Sequence, residues 1–385
     1  MKTLIRITTV PMAFKVLLQG QPAFMQQHGF KVIMISADGP ERKDVIAKEK
    51  CEHIIVPMTR TISPVQDLKC LFQLIKIFKK YKPDIVHTHT PKAGLLGMLA
   101  AKICGVKVRM HTIAGLPVMI TSGLKKQILK TTERITSAAA GYILPNSKSL
   151  YQYMVKEKLA PAEKLSIINN GSTNGIDLKQ FSGENLNPDR LIKIKREINF
   201  DAYKHKTKIL CVGRMVKDKG IEEVIGVFNQ LCKTHDLHLI LVGPFERDLD
   251  ALAPSTENEI KNNSAITHIN WSDEIEYFMA IADIFVHASH REGFPNVLLQ
   301  AGAMQVPVVA SDIAGNNDII THNKTGLLFN VKNITDFVSK LRFAIDNTED
   351  INNFAGELKK EVIHLYDRKV MHEAILNKYN TLLSQ

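Results

Sequence analysis

His287-Ala-Ser-His-Arg-Glu-Gly-Phe-Pro-Asn-Val-Leu-Leu-Gln300 is the stretch whose reading decides the fold. The short run before it, residues 282–286, is mostly apolar and reads as a buried strand. A polar turn follows, ending in Arg291-Glu292-Gly293-Phe294-Pro295. From Asn296 the apolar Val297, Leu298 and Ala301 fall at helical spacing, and Pro295 suits the start of that helix because its missing N–H is no loss there. Residues 306–310 are again apolar and β-branched. Strand, turn, helix and strand make a βαβ unit, and its turn lies at the carboxyl end of a parallel strand, where open α/β sheets bind ligands. The helix N-terminus favours an anion, and Glu292 stands just outside it. A phosphate-bearing ligand with a hydroxyl-rich neighbour would use both. The plainer reading, one more βαβ repeat with a solvated glutamate, does not account for so unusual a run as Arg-Glu-Gly-Phe-Pro.

Working outward, the same alternation recurs on both sides. Residues 207–212 read as a strand, followed by Gly213-Arg214 and, five residues on, Lys219-Gly220. Two cations flanking a turn at the carboxyl end of a strand suit a diphosphate that no metal ion neutralises. Residues 237–243, closing on Gly243, and 265–271, containing Ile269 and Trp271, read as further strands. Asp248 and Asp250 match a D-x-D metal motif only formally and read as a helix surface. In the first half, residues 2–9, 31–36, 83–89, 106–113 and 142–145 read as strands. Helices over 67–82 and 123–140 each carry an apolar face and several lysines. His87 and His89, two apart on a strand, share a face, but no third residue completes a metal site. No glycine lies between Met1 and Gly20, so the first turn offers no glycine-rich phosphate cradle.

Composition narrows the function further. A chain of 385 residues, 45% hydrophobic, exceeds one ordinary domain, suggests two or three, and can bury full cores. Its five cysteines are scattered and form no C-x-x-C pair, which suggests neither a disulfide framework nor a zinc site. The first residues lack the pattern of a signal peptide and no apolar run approaches a membrane span, so a cytoplasmic enzyme is the expectation. Residues 1–200 hold 31 Lys and Arg against 14 Asp and Glu, a net of +17, whereas the rest holds 19 against 25, a net of −6. The basic half calls for an anionic partner, and the absence of aromatic-interleaved basic motifs argues against nucleic acid.

The run Glu292-Gly-Phe-Pro-Asn, followed by Leu-Leu-Gln-Ala, resembles the E-x7-E region of retaining glycosyltransferases of family 4, which have the GT-B fold. The first acidic residue of that motif matches Glu292 and the second falls on Gln300, so the ribose-holding position is neutral here. The resemblance implies two doubly wound, Rossmann-like α/β domains facing a cleft. The first spans residues 1–182, with a C-terminal helix over 366–385 returning to it, and the second spans 183–365. It assigns Glu292, Arg214 and Lys219 to catalysis, the last two holding the donor diphosphate. It places Gly213, Gly243, Ile269, Trp271, Gly293, Phe294, Pro295, Asn296 and Gln300 around the donor. The D-x-x-H-x-H-x-x-K-x-G run from Asp84 to Gly94 puts His87, His89 and Lys92 on the acceptor side. His111 joins them, three residues before Ala114, which occupies the place of a family histidine.

The implied reaction moves a hexose or N-acetylhexosamine from a UDP-linked sugar, without metal or other cofactor, to an anionic acceptor. That acceptor is expected to be a polyprenyl-diphosphate-linked glycan of bacterial capsule or lipopolysaccharide synthesis. Peripheral contact of the first domain with the anionic inner face of the plasma membrane follows from the charge. Two other readings share the fold: a nucleotide-sugar 2-epimerase, which needs no acceptor, and a non-catalytic partner of a transferase complex.

Overall fold

A computed structural model describes residues 1–119 and 121–385. The chain forms two compact units, Met1–Gly175 with Arg368–Gln385, and Ile176–Asp367. Residues 176–182 therefore belong to the second unit rather than the first, and the chain re-enters the first at Arg368.

The first unit is built on six parallel strands: β1 (Lys2–Ile7), β2 (Phe30–Ser36), β3 (Glu52–Ile55), β4 (Ile85–His89), β5 (Val108–Ile113) and β6 (Tyr142–Pro145). Their order across the sheet is β3-β2-β1-β4-β5-β6. The strands are covered on both faces, so successive residues of one strand enter different cores. Leu4 packs with Val32, Met34 and the C-terminal helix Arg368–Ser384, while Ile5 packs with Ile33 and the helices Pro64–Tyr81 and Pro91–Ile103. Two-sided burial is why β1 and β2 read as apolar runs rather than alternating ones. The edge strand β3 and the helix Arg42–Glu49 before it gave no signal in the sequence, because β3 is only four residues long and none of them is fully buried.

The second unit repeats the plan with β7 (Thr207–Val212), β8 (Leu237–Val242), β9 (Ile266–Ile269), β10 (Ile284–His287), β11 (Val308–Asp312) and β12 (Leu327–Asn330). Their order, β12-β11-β10-β7-β8-β9, is the same arrangement counted within the unit. All six residues of β8 are buried. In each sheet the direction of winding reverses between the first and fourth strands of the unit, β1 with β4 and β7 with β10. Loops leaving those paired strands diverge and open a crevice at their carboxyl ends.

Candidate active site

The β7/β10 crevice gathers the charged residues of the two motifs that the sequence singled out. After β7 the chain passes Gly213 and Arg214 and makes one 3-10 turn, Lys217–Lys219, before the helix Ile221–Leu231. Gly220 joins turn to helix at φ +69, and a Cβ there would collide with the carbonyl oxygen of Ala288 just beyond β10. Only glycine allows this approach. It brings Lys219 to the β10 side, where its Nζ lies 2.5 Å from Glu292 Oε1 across 73 residues of sequence. His287, the last residue of β10, places Nε2 3.1 Å from the same Oε1.

The Glu292 side chain is 15% exposed. Burial pushes its carboxyl up, but the Lys219 ammonium and the His287 imidazole outweigh that and hold it well below the usual carboxylate range. It is therefore an ionised acceptor at neutral pH.

Arg214 stands across the turn, with Nη1 2.6 Å from Glu246 Oε2. Asp218, between the two cations, takes Arg291 Nη2 at 2.9 Å, and its backbone N–H donates to Asp250 at 2.7 Å. Asp250 thus braces the 3-10 turn. His290 reaches Glu223 at 2.8 Å, and its backbone N–H donates to the Asp218 carbonyl at 2.8 Å, pinning the β10 loop to the β7 loop. These contacts hold the loop that carries Arg214 and Lys219 against the β10 loop. Glu246, Asp218, His287 and the His290–Glu223 pair had no signal in the sequence, since no spacing links residues from separate loops.

The helix after the motif is Asn296–Ala303, with Pro295 before it. Gln300 lies on its second turn, and its Oε1 is buried without a hydrogen-bond partner. Gly243 follows β8, its N–H donating to Ile269 at 2.8 Å and its carbonyl meeting His268 Nε2 at 2.8 Å. Trp271 is half-exposed beside them. Two of the residues placed around the donor pack their side chains inward. Phe294 faces the core against the Tyr366 ring at 5.3 Å between centroids, and Pro295 is buried. Their side chains shape the loop.

The first unit treats its predicted residues differently. His87 and His89 are only 1% and 2% exposed. His87 bonds Tyr379 Oη at 2.5 Å and Thr112 Oγ1 at 2.7 Å, and His89 Nε2 meets Arg6 Nη2 at 2.8 Å. Arg6, wholly buried, also reaches Gln21 and Tyr379. His111 bonds Thr88 Oγ1 at 2.8 Å and fills the space that a Cβ at Gly94 would need. Glycine in that motif is thus explained by the ring lying against it. His87 and His89 thus lie in a polar core under the β1/β4 crevice, while His111, bonded to Thr88 on the other face of β4, packs against Gly94; none of the three presents an open acceptor-side surface. Burial drives His87 and His89 well below the usual imidazole range and His111 down to about 4. Lys92 is paired with Asp67 at 2.5 Å.

Comparison with known proteins bears on this site directly. The family described as "Glycosyl transferases group 1" matches residues 194–361, which contain Arg214, Lys219, Glu292 and Gln300, and "Glycosyl transferase 4-like" matches residues 6–149. The capsular polysaccharide biosynthesis glycosyltransferase CapM of Staphylococcus aureus is 31% identical over 373 residues, covering 96% of this chain and 94% of that protein. The chain belongs to the group 1 glycosyltransferases. An Escherichia coli galactosyltransferase named for a diphosphoundecaprenol-linked N-acetylglucosamine acceptor is 25% identical over 319 residues, 81% of this chain and 79% of that one. Among solved structures, a glycosyltransferase from Rickettsia africae matches with TM-score 0.79 at 23% identity over 99% of this chain and 98% of that one. The sucrose-phosphate synthase of Thermosynechococcus elongatus matches with TM-score 0.81 at 16% identity over the whole of both chains. At these identities the structures show the fold alone, and that fold is the two-domain α/β GT-B architecture. In a group 1 glycosyltransferase, the β7/β10 crevice is the candidate donor site.

Proposed function

We propose that this glycosyltransferase moves a hexose or N-acetylhexosamine from a UDP-sugar to a polyprenyl-diphosphate-linked glycan, with retention at the anomeric carbon. The observation that carries the reading is the pairing of Lys219 with Glu292 beside Arg214 at the switch point of the second sheet. Arg214 and Lys219 hold the diphosphate and stabilise the charge that grows on it as the bond from sugar C1 to phosphate oxygen breaks. The acceptor hydroxyl forms the new bond to C1 on the same face and passes its proton to the departing phosphate oxygen. Glu292 accepts from hydroxyls of the donor sugar. Gln300, with its buried unpartnered Oε1, accepts from the ribose, and Gly243, Ile269 and Trp271 flank the base. Two fixed cations make a metal ion unnecessary.

The acceptor class is supported by the basic first half and by the lipid-linked sugar in the name of the Escherichia coli relative. Surface glycan assembly is supported by the capsular role in the name of the Staphylococcus aureus relative. Peripheral contact with an anionic bilayer is supported by a second apolar stripe on each of two helices. Pro64–Tyr81 turns Cys70, Leu74 and Phe78 to the core, yet exposes Val65 (71%), Leu68 and Phe72 at helical spacing among Lys69 and Lys76. Gly123–Ala139, on the same face of the sheet, exposes Leu124 (77%), Ile128 and Ile135 beside Lys125 and Lys126. Each basic residue near an anionic leaflet contributes about 1 kcal/mol, screened beyond roughly 8 Å at physiological salt. Lys130 is taken up by Glu157 and is not counted. No helix among the described residues is long and apolar enough to cross a membrane.

The test offers a panel of nucleotide-sugars, in EDTA, with a lipid-diphosphate-linked sugar carried in vesicles of zwitterionic or of partly anionic lipid. Product mass should rise by one sugar residue for one donor, without metal, and protein should sediment with the anionic vesicles until salt releases it. Free sugar and nucleotide formed without acceptor would instead make the enzyme an epimerase. Activity lost in EDTA and restored by Mg²⁺ would overturn metal independence. Equal recovery in the supernatant with both vesicle types would remove the membrane contact.

A further inference from the structure

The Glu292 carboxylate is held from one side only. Lys219 Nζ and His287 Nε2 both converge on Oε1, and Oε2 has no hydrogen-bond partner among the described residues. The two holders differ in what else they do. The Lys219 ammonium has three donors and, on this reading, a ligand phosphate to share them with, whereas among the described residues the His287 side chain hydrogen-bonds Glu292 alone. His287 is also the more rigid. It closes β10, pairs in register with Ala310 of β11, has a side chain 5% exposed, and lies near-parallel to the Phe285 ring at 6.3 Å. Holding an ionised carboxylate through Nε2 requires the ring proton on that nitrogen, with the imidazole as donor.

We propose that His287 is a positioning residue for sugar transfer. It anchors Glu292 by Oε1 when the donor diphosphate draws on Lys219, and so keeps Oε2 presented to the hydroxyls of the donor sugar. This rests on the reading that Glu292 addresses that sugar. A flexible carboxylate would still leave the diphosphate site intact, so the anchor affects turnover and not nucleotide binding. Glutamine at 287 places an N–H donor at a similar reach, whereas leucine fills the space without one.

The experiment measures steady-state transfer and UDP affinity by calorimetry for the wild type, His287→Leu, His287→Gln and Glu292→Gln. His287→Leu should lower kcat about tenfold or more, as fits the loss of a hydrogen bond to a charged group, with UDP affinity within about twofold of wild type. His287→Gln should recover most of that loss. Wild-type kcat in His287→Leu overturns the proposal if Glu292→Gln is slow. So does an equal loss in both His287 variants with UDP affinity falling in parallel, which would make the ring a packing element. Wild-type turnover in Glu292→Gln would instead remove the underlying assignment of Glu292.

Discussion

The two sheets have one topology, yet their switch points hold opposite chemistry. At β1/β4 the loops meet hydroxyl to hydroxyl, Thr9 Oγ1 and Thr90 Oγ1 lying 2.7 Å apart. Beneath them lies a closed polar core of Arg6, Gln21, His87, His89 and Tyr379. At β7/β10 the loops meet ammonium to carboxylate, with Arg214 alongside. Winding order makes a crevice in both places, and residue chemistry makes one a filled polar core and gives the other partly exposed cations. The first loop has no glycine before Gly20 and is filled by its own side chains, while the second uses Gly220 to bring backbone against backbone and leave cations at the rim.

That contrast breaks most sharply at Lys219. Lys219→Ala removes a phosphate partner and the first holder of Glu292 together, so kcat/KM should fall roughly 10²–10³-fold, the range for loss of one preorganised donor to developing charge. A fall below about fivefold in steady-state assays would place the diphosphate elsewhere.

Acid should separate the two units. His87, His89 and His111 in the first unit are held neutral by burial, and His53 is also pushed down to about 4. The unfolded chain protonates such rings below about pH 6.5, so it binds more protons than the native state and stability falls as pH drops from there toward 4. Glu133, pushed up to about 7 by burial, and Glu49, also pushed up, act in the opposite sense in the same unit and offset part of that loss. The second unit has His238 and the less buried His322. Its Glu292 acts with the same sign in a lower window, since a carboxyl held low contributes fully above the unfolded value of about 4.3 and loses that contribution only as pH falls below it. Trp271, the single tryptophan, reports on the second unit. At pH 5, thermal unfolding followed by circular dichroism should begin before the Trp271 fluorescence change, and at pH 7.5 the two should lie closer. Coincident transitions at both pH values would contradict the difference.

The smallest effect tests whether the first crevice is purely structural. Tyr379→Phe strips a partner from Arg6 and His87 and should destabilise the first unit by about 1–3 kcal/mol. UDP affinity should not change. A tenfold change in calorimetric UDP binding would show that the polar core communicates with the donor site.

The sequence by itself determined the repeating strand–turn–helix plan, because two-sided burial leaves apolar runs that punctuation by Gly and Pro makes legible. It also determined the candidates Arg214, Lys219 and Glu292, since each follows a strand in a motif of fixed spacing. Only the tertiary structure decided what those residues touch. The Lys219–Glu292 contact spans 73 residues, and His287 meets Glu292 because a strand end and a loop fold together. Packing also reversed some expectations. Sequence spacing puts His87 and His89 on one strand face, but it does not say that a helix near the far terminus covers that face with Tyr379. Burial is a property of neighbours brought from distant parts of the chain, and a local pattern of residues carries no record of them.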